Sequence, residues 1–244
     1  AVPPRLIRDF EIPDSQIVAR INSARIISPS GREVDMPVGK GYVGMVDREH
    51  FDEWLRSRAA SAGAERRSGS FDSIEPEPDG DVTVIYQEKI DGKLGEFRRV
   101  KARAVVGADG ARSVVAEKTM RNAERVPCVF AYHEIVKSPE KGSVPRFEDE
   151  TCDVFYNGTM SPDFYAWVFP HGETTSVGTG SANKGFGLRE AVKTVRDAAG
   201  LENAETIRTE GAPIPLKPRK RWDDGRNVVL AGDAAGIVAP ASGE

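Results

Sequence analysis

Two short segments of the chain each place an aspartate beside glycine after an apolar run. Asp109 lies between Gly107 and Gly110, and Asp233 directly follows Gly232. A carboxylate at the end of a strand can accept hydrogen bonds from the hydroxyls of a polyol or ribose, and glycine lets a large ligand approach the backbone. Each segment alone fits equally well a turn whose aspartate caps the next helix. The presence of both segments in one chain favours a nucleotide site.

Aromatic residues alternate along another stretch of the chain. Tyr165, Trp167 and Phe169 recur at every second position, so in a β-strand their side chains would lie on one face. Such a row can form the wall of a long apolar slot. The same spacing also fits a strand in the core of a β-sandwich, which leaves both interpretations open.

Hydrophobic periodicity and turn residues predict the elements that position these groups. Helices are predicted at 3–10, 47–62 and 187–199, with a short one after Ser113. Strands are predicted at 17–28, 33–36, 42–46, 71–74, 82–86, 97–101, 104–107, 128–136, 152–156, 164–169, 175–180, 205–211 and 228–231. Pro213, Pro215 and Pro218 predict a linker.

The predicted elements form blocks of different character. Residues 1–40 and 121–217 are β-rich, whereas 41–120 and 218–244 mix strands with helices. The simplest account is two interleaved domains: a nucleotide-binding α/β domain and a mainly antiparallel β domain that carries substrate. We therefore expect an α/β + β fold.

Composition excludes several classes of protein. The chain has 244 residues and a net charge of -4, so no overall basic field indicates nucleic acid. No apolar run reaches the roughly 18 residues that a membrane span needs. Two cysteines, Cys128 and Cys152, are too few for a disulfide framework and favour a reducing cytoplasm. Three scattered histidines predict no metal site.

A short basic cluster contains Lys217, Arg219, Lys220 and Arg221. It could contact anionic lipid or a substrate diphosphate, but we favour a solvated linker.

The motifs resemble those of a known group of flavoproteins. The segments around Asp109 and Asp233 resemble the internal Asp-Gly motif and the downstream Gly-Asp motif of the FAD-dependent hydroxylase superfamily. The pattern Pro-x-x-Tyr-x-Trp-x-Phe-Pro at 162–170 is similar to the strand that lines the isoprenoid cavity of geranylgeranyl reductases. Stretches 27–35 and 42–55 resemble the photosynthetic branch of that family. The resemblance covers essentially the whole chain and implies an FAD/NAD(P)-binding Rossmann-like domain that is incomplete here.

This resemblance implies roles for particular residues. Asp233 would bind the ribityl chain of FAD, and Asp109 a ribose or the backbone that cradles it. Arg48, at the start of a helix lying along FAD, would contact the cofactor; the alternative is an arginine paired with Asp47 or Asp52. The stretch near Ser70 would run past the adenine of FAD and contact it through backbone atoms. The remaining implied cofactor contacts are Gly110, Gly232, Pro240 and Gly243, and the implied substrate contacts are Tyr165, Trp167 and Phe169.

The implied activity is reduction of prenyl C=C bonds with FAD and NADPH, converting geranylgeranyl to phytyl in (bacterio)chlorophyll biosynthesis. The implied substrate is geranylgeranyl-bacteriochlorophyll or geranylgeranyl diphosphate, handled in the cytoplasm or peripherally at the photosynthetic membrane. The alternatives are an archaeal-type lipid prenyl reductase, an FAD-dependent aromatic hydroxylase, or a binding module without activity.

The one G-x-G-x-x-G spacing in the chain, Gly39 to Gly44, leads into the strand predicted at 42–46 and not into a helix, so it is not the dinucleotide fingerprint. In the family that fingerprint lies upstream of the residues seen here, as does a cysteine that is the candidate proton donor. We therefore expect a partial chain that binds FAD poorly and is inactive alone, and we assign no catalytic residue.

Overall fold

A computed structural model describes residues 1–121 and 125–239. The chain forms two compact units. One contains Ala1–Gly63 and Phe130–Ala212, and the other contains Ala64–Val129 and the segment beginning at Pro213. Helix 48–61 thus groups with the first unit, whereas the sequence placed it in the nucleotide-binding segment 41–120. The functional assignment of the segments stays a prediction.

The described residues form α-helices and β-strands in the following order. The helices are α1 (Pro4–Asp9), α2 (Arg48–Ser61), α3 (Val114–Thr119) and α4 (Leu188–Ala199). The strands are β1 (Ala19–Ile21), β2 (Ser23–Ile27), β3 (Glu33–Pro37), β4 (Val43–Met45), β5 (Gly69–Pro76), β6 (Val82–Ile90), β7 (Lys93–Ala102), β8 (Val105–Gly107), β9 (Cys128–Lys137), β10 (Thr151–Phe155), β11 (Ala166–His171), β12 (Thr174–Ser181), β13 (Thr206–Pro215) and β14 (Val228–Leu230).

A seven-stranded, mainly antiparallel sheet dominates the first unit, with strand order β13-β9-β12-β11-β10-β2-β3. Helix α4 packs on β11 and β12 because its buried face carries Ala191, Val192 and Val195. Gly200 ends α4 in the left-handed conformation, φ 71°, which glycine adopts without strain. Ala166 and Val168 of β11 point into the core under α4, so the alternate residues of β11 lie on the opposite face of the sheet.

A smaller part of the first unit contains α1, α2 and the antiparallel pair β1–β4. The carboxylate of Asp47 caps α2 by accepting a hydrogen bond from the backbone N–H of Glu49, 3.0 Å. Phe51 of α2 packs with Val2, Ile12 and Val46 in a small core. Arg48 is therefore fixed at the start of a capped and anchored helix.

The second unit contains the parallel pair β8–β14 and the antiparallel sheet β5-β6-β7. Helix α3 packs against β5 and β14. Its core includes Val115, Ala116, Val228 and Leu230, so the two strands that precede Asp109 and Asp233 share one hydrophobic core.

The sequence predicted the α-helices and most strands above within about four residues. The single stretch predicted at 17–28 is instead two strands, β1 and β2, which belong to different sheets. The predicted linker is wrong in part, because Pro213 and Pro215 belong to β13. Proline fits there since the residues lie at the end of a strand that is at one edge of its sheet. No helix in the described part of the chain is long and apolar enough to cross a membrane.

Candidate functional site

The two aspartate segments meet at one edge of the second unit. Strands β8 and β14 pair in parallel, with Gly107 opposite Leu230. The backbone N–H of Ala231 donates to the carbonyl of Gly107, 2.9 Å. Because parallel strands end at the same edge, the segments that carry Asp109 and Asp233 leave the pair side by side.

The carboxylate of Asp109 is bound by its own chain. It accepts hydrogen bonds from Ser113 Oγ at 2.5 Å and from the backbone N–H of Val115 at 3.0 Å. Ser113 Oγ in turn accepts from the N–H of Ala116, 2.9 Å, and caps α3. These contacts are those of the helix-capping interpretation, so any contact of Asp109 with a ribose uses its remaining lone pairs.

The two glycines of this segment have different roles. A Cβ on Gly107 would lie 2.8 Å from side-chain atoms of Leu230 and Val115, so glycine is needed there for packing. The expectation that Gly107 allows a ligand to approach is therefore wrong. Gly110 has φ +82° and no atom within 4 Å of a built Cβ, which leaves open space beside a left-handed turn.

Asp233 differs from Asp109 because its side chain is exposed and accepts no hydrogen bond from the described residues. It lies in the 3₁₀ turn Gly232–Ala235. Gly232 has φ +57°, with no atom within 4 Å of a built Cβ. A carboxylate beside open, Cβ-free backbone at a strand end fits a hydroxyl-bearing chain such as ribityl. Pro240 and Gly243 lie outside the described residues.

Cys128 lies close to this edge. Burial raises the pKa of its thiol, and the charges of Arg112, Asp233 and Arg219 also act on it. Arg112 and Arg219 are cations and lower the pKa of the thiol, whereas Asp233 raises it further. The thiol is thus held in its neutral form beside the Asp233 turn.

Arg48 belongs to the first unit and binds Asp52 one helical turn later. Its Nε and one terminal nitrogen donate to the two carboxylate oxygens of Asp52, at 2.8 and 2.9 Å. This contact holds the pKa of Asp52 below its usual value, against the effect of burial. The side chain of Arg48 is 77% exposed, so the pair presents its guanidinium to the surface. Ser70 is an exposed residue of β5, an edge strand of the second unit.

The aromatic row forms as predicted. The rings of Tyr165 and Trp167 lie 5.7 Å apart and those of Trp167 and Phe169 6.0 Å apart. Tyr165 and Trp167 are buried on the face of the sheet opposite α4. The indole N–H of Trp167 donates to Ser176 Oγ, 3.1 Å, which fixes the orientation of its ring.

A cavity of about 600 Å³ opens in the first unit near this row. It lies on the sheet face that carries Trp167, because His133 and Ser176, which both contact Trp167, line it. Arg48 lies on its rim. The lining residues are Val18, Val46, Asp47, Arg48, Glu49, His133, Ile135, His171, Glu173, Thr174, Ser176, Arg208 and Glu210.

The sequence did not identify His133 and Ser176 as site residues. His133 Nδ1 lies 3.0 Å from Ser176 Oγ, and its Nε2 lies 3.2 Å from a carboxylate oxygen of Glu210. Burial lowers the pKa of His133, while Glu210 opposes that effect. Strand alternation could have placed each residue on a face of its strand, but only the pairing of β9 with β12 brings them together.

Comparison with known proteins identifies the family of the chain. The family described as FAD binding domain matches residues 16–244, and the chain belongs to that family. This match supports FAD as the cofactor.

Two relatives show which enzymes the chain is similar to. The chain is 52% identical to geranylgeranyl diphosphate reductase of Rhodobacter capsulatus, over all of the chain and 60% of the relative. It is 32% identical to digeranylgeranylglycerophospholipid reductase of Methanocaldococcus jannaschii, over 97% of the chain and 60% of the relative. The predicted resemblance to geranylgeranyl reductases is thus confirmed, and the chain spans about three-fifths of the length of these relatives.

The fold also matches a solved structure. A geranylgeranyl bacteriochlorophyll reductase-like protein from Thermoplasma acidophilum superimposes with a TM-score of 0.83 and 23% identity, over 100% of this chain and 62% of that one. The predicted fold class is confirmed.

Proposed function

We propose that this chain is part of an FAD-dependent reductase that saturates C=C bonds of a geranylgeranyl chain. The observation that carries the proposal is the contiguous aromatic row of Tyr165, Trp167 and Phe169. Trp167 of this row contacts His133 and Ser176, which line the cavity. The row occurs in a chain that is 52% identical to a geranylgeranyl diphosphate reductase. The proposed role is the conversion of geranylgeranyl to phytyl in (bacterio)chlorophyll biosynthesis.

Several residues would hold the cofactor. The exposed carboxylate of Asp233 would accept hydrogen bonds from ribityl hydroxyls, with Gly232 leaving room for the chain. Asp109 would stabilise the neighbouring segment through α3, and Gly110 would give space beside it. Arg48 and Ser70 are proposed as further contacts. When bound, FAD supplies a hydride equivalent, which we propose it receives from NADPH.

The aromatic row would bind the prenyl chain. An isolated C=C bond offers no polar group to recognise, so specificity must come from apolar contact and exclusion of water. The buried rings of Tyr165 and Trp167 supply such a surface. Ser176 holds the indole in place through its hydrogen bond. We assign no proton donor among the described residues.

The prenyl carrier is proposed to be geranylgeranyl-bacteriochlorophyll or geranylgeranyl diphosphate, met in the cytoplasm or at the periphery of the photosynthetic membrane. A second candidate is an archaeal-type membrane-lipid prenyl chain. The 32% identity to digeranylgeranylglycerophospholipid reductase supports that alternative.

The test is an anaerobic assay of the full-length gene product with NADPH and each prenyl carrier, with mass spectrometry of the products. We expect saturation of geranylgeranyl chains without oxygen. Consumption of oxygen with formation of a hydroxylated product would instead indicate a hydroxylase. Absence of both a flavin spectrum and saturated product would indicate a binding module and contradict the proposal.

A further inference from the structure

A second concave surface lies in the second unit, and its lining is basic. This basic groove has a volume of about 430 Å³. Its lining residues are Met120, Arg121, Arg125, Val126, Pro127, Lys217, Pro218, Arg219, Lys220 and Arg221. Among the described residues of this lining, six are cations and none is acidic. The net charge of the whole chain is -4, so this concentration of positive charge is local.

The basic segment is held in place by the Asp233 turn. The backbone N–H of Arg219 donates to the carbonyl of Ala235 at 2.8 Å, and its Nε donates to the carbonyl of Ala234 at 2.7 Å. The indole N–H of Trp222 donates to the carbonyl of Arg219, 2.8 Å. These contacts fix the backbone of the segment on both sides of Lys220. Lys217, Lys220 and Arg221 are exposed, as expected for a solvated linker, but the backbone of the segment is held by these contacts.

The other side of the segment is packed against glycine. A Cβ on Gly236 would lie 2.5 Å from the carbonyl oxygen of Lys217 and 3.2 Å from the backbone of Pro218 and Arg219. The N–H of Leu216 donates to the carbonyl of Pro127, 2.9 Å, which joins the two walls of the groove. A site whose backbone is fixed before binding loses less conformational entropy when a ligand arrives.

Like charges placed around one concave surface repel each other, and a polyanion relieves that repulsion. Arginine binds phosphate through paired N–H donors, and lysine adds a point charge. We propose that the basic groove binds a diphosphate group. Building on the proposed function, this group is the headgroup of a prenyl diphosphate substrate.

A diphosphate fits better than a carboxylate or a single sulfate. Its two phosphoryl groups offer several oxygens to cations from two separate parts of the chain, Arg121 and Arg125 on one side in sequence and the segment 217–221 on the other. The hydrophobic lining is limited to Met120, Val126 and the two prolines, so the groove suits a headgroup and not the prenyl chain itself.

The test is calorimetric titration of the full-length gene product with inorganic pyrophosphate. Lys217→Gln combined with Arg221→Gln removes two positive charges without removing a hydrogen bond described above. The matched control, Arg103→Gln with Arg226→Gln, removes two exposed charges of the same unit that do not line the groove. We expect pyrophosphate affinity to fall at least about tenfold in the groove variant and to change little in the control. Equal affinity in the wild-type protein and the groove variant, or an equal loss in the control, would overturn the proposal.

Further measurements separate the sources of phosphate. A rise in KM for geranylgeranyl diphosphate, with KM for NADPH unchanged, supports the proposal. A rise in KM for NADPH alone would indicate that the groove binds a phosphate of NADPH, and it would overturn the proposal. So would loss of binding to anionic vesicles with unchanged pyrophosphate affinity, which would indicate a lipid surface. Pyrophosphate binding is measured without turnover, so it can be interpreted even if the protein reduces no prenyl substrate. If the protein does reduce prenyl substrate but the groove variant binds pyrophosphate as the wild type does, only the proposal for the groove is contradicted.

Discussion

Gly178 lies directly opposite Trp167 on the neighbouring strand, and the indole ring occupies the space that a side chain at 178 would fill. His133 packs against the same glycine from β9. The aromatic row therefore requires a residue without a side chain at position 178 as much as it requires the rings themselves. This relationship yields the first prediction.

Gly178→Ala should displace the Trp167 indole and destabilise the first unit by about 1–3 kcal/mol, the usual effect of overpacking. Turnover of prenyl substrate should fall as well, because the wall of the slot moves. Urea unfolding and steady-state kinetics measure the two effects. Gly158→Ala is the control, since Gly158 is exposed and a Cβ there meets no atom within 4 Å. Equal stability of the two variants would show that the indole yields without strain.

Trp167→Ala should reduce turnover of prenyl substrates by at least about tenfold while flavin content is retained, because it removes a proposed contact with substrate and leaves the proposed flavin-binding residues unchanged. Trp167→Phe keeps an aromatic surface but loses the hydrogen bond to Ser176. It should keep most of the activity, with a loss of about 1 kcal/mol in stability. Unchanged prenyl kinetics in the alanine variant would exclude Trp167 from the slot.

The two aspartates should respond differently to substitution. Asp233→Ala should lower FAD occupancy of the full-length protein and leave the stability of the flavin-free form nearly unchanged, because its carboxylate is exposed. Asp109→Ala should destabilise the flavin-free protein by about 1–2 kcal/mol, since it removes the bonds to Ser113 and Val115. Flavin absorbance and thermal unfolding distinguish these effects. Full flavin content in Asp233→Ala would exclude the assigned role.

The sequence was sufficient for features that depend on near neighbours. Alternation placed Tyr165, Trp167 and Phe169 on one face, and an apolar run before each aspartate predicted β8 and β14. The sequence allowed Asp109 either to cap the next helix or to bind a ligand. The contact between Ser113 and Asp109 in the folded chain shows the capping role.

The remaining features depend on pairing between distant segments. Nothing near position 178 indicates that the residue faces Trp167, because the register of β11 with β12 decides it. In the same way, Arg121 and Arg125 lie more than ninety positions before Lys217, so only the fold reveals a groove lined by both. Sequence spacing carries little information about such contacts, and the basic cluster was therefore assigned to a linker.

A charge cluster around the buried side chain of Arg25 lies on the neighbouring strands β2, β3 and β10. Arg25 of β2 is 8% exposed and lies 3.3 Å from an oxygen of Asp35 and 3.7 Å from one of Asp153. Burial raises the pKa of Asp153 to about 6, although Arg25 opposes that rise. In the unfolded chain an aspartate titrates near its ordinary value of about 3.9.

Between these two pKa values the folded protein holds a proton that the unfolded chain has released. The contribution of Asp153 is therefore fully present below about pH 4 and is lost as the pH rises through about 6, with a total on the order of 3 kcal/mol. Asp153→Asn should remove this dependence, so the difference in free energy of unfolding between variant and wild type should change across this window. Urea unfolding at several pH values measures it, with Asp149→Asn as the surface control, because Asp149 pairs with Lys141 at 3.2 Å and is 48% exposed. A difference between Asp153→Asn and wild type that stays constant from pH 4 to pH 7 would show that Arg25 keeps Asp153 ionised throughout.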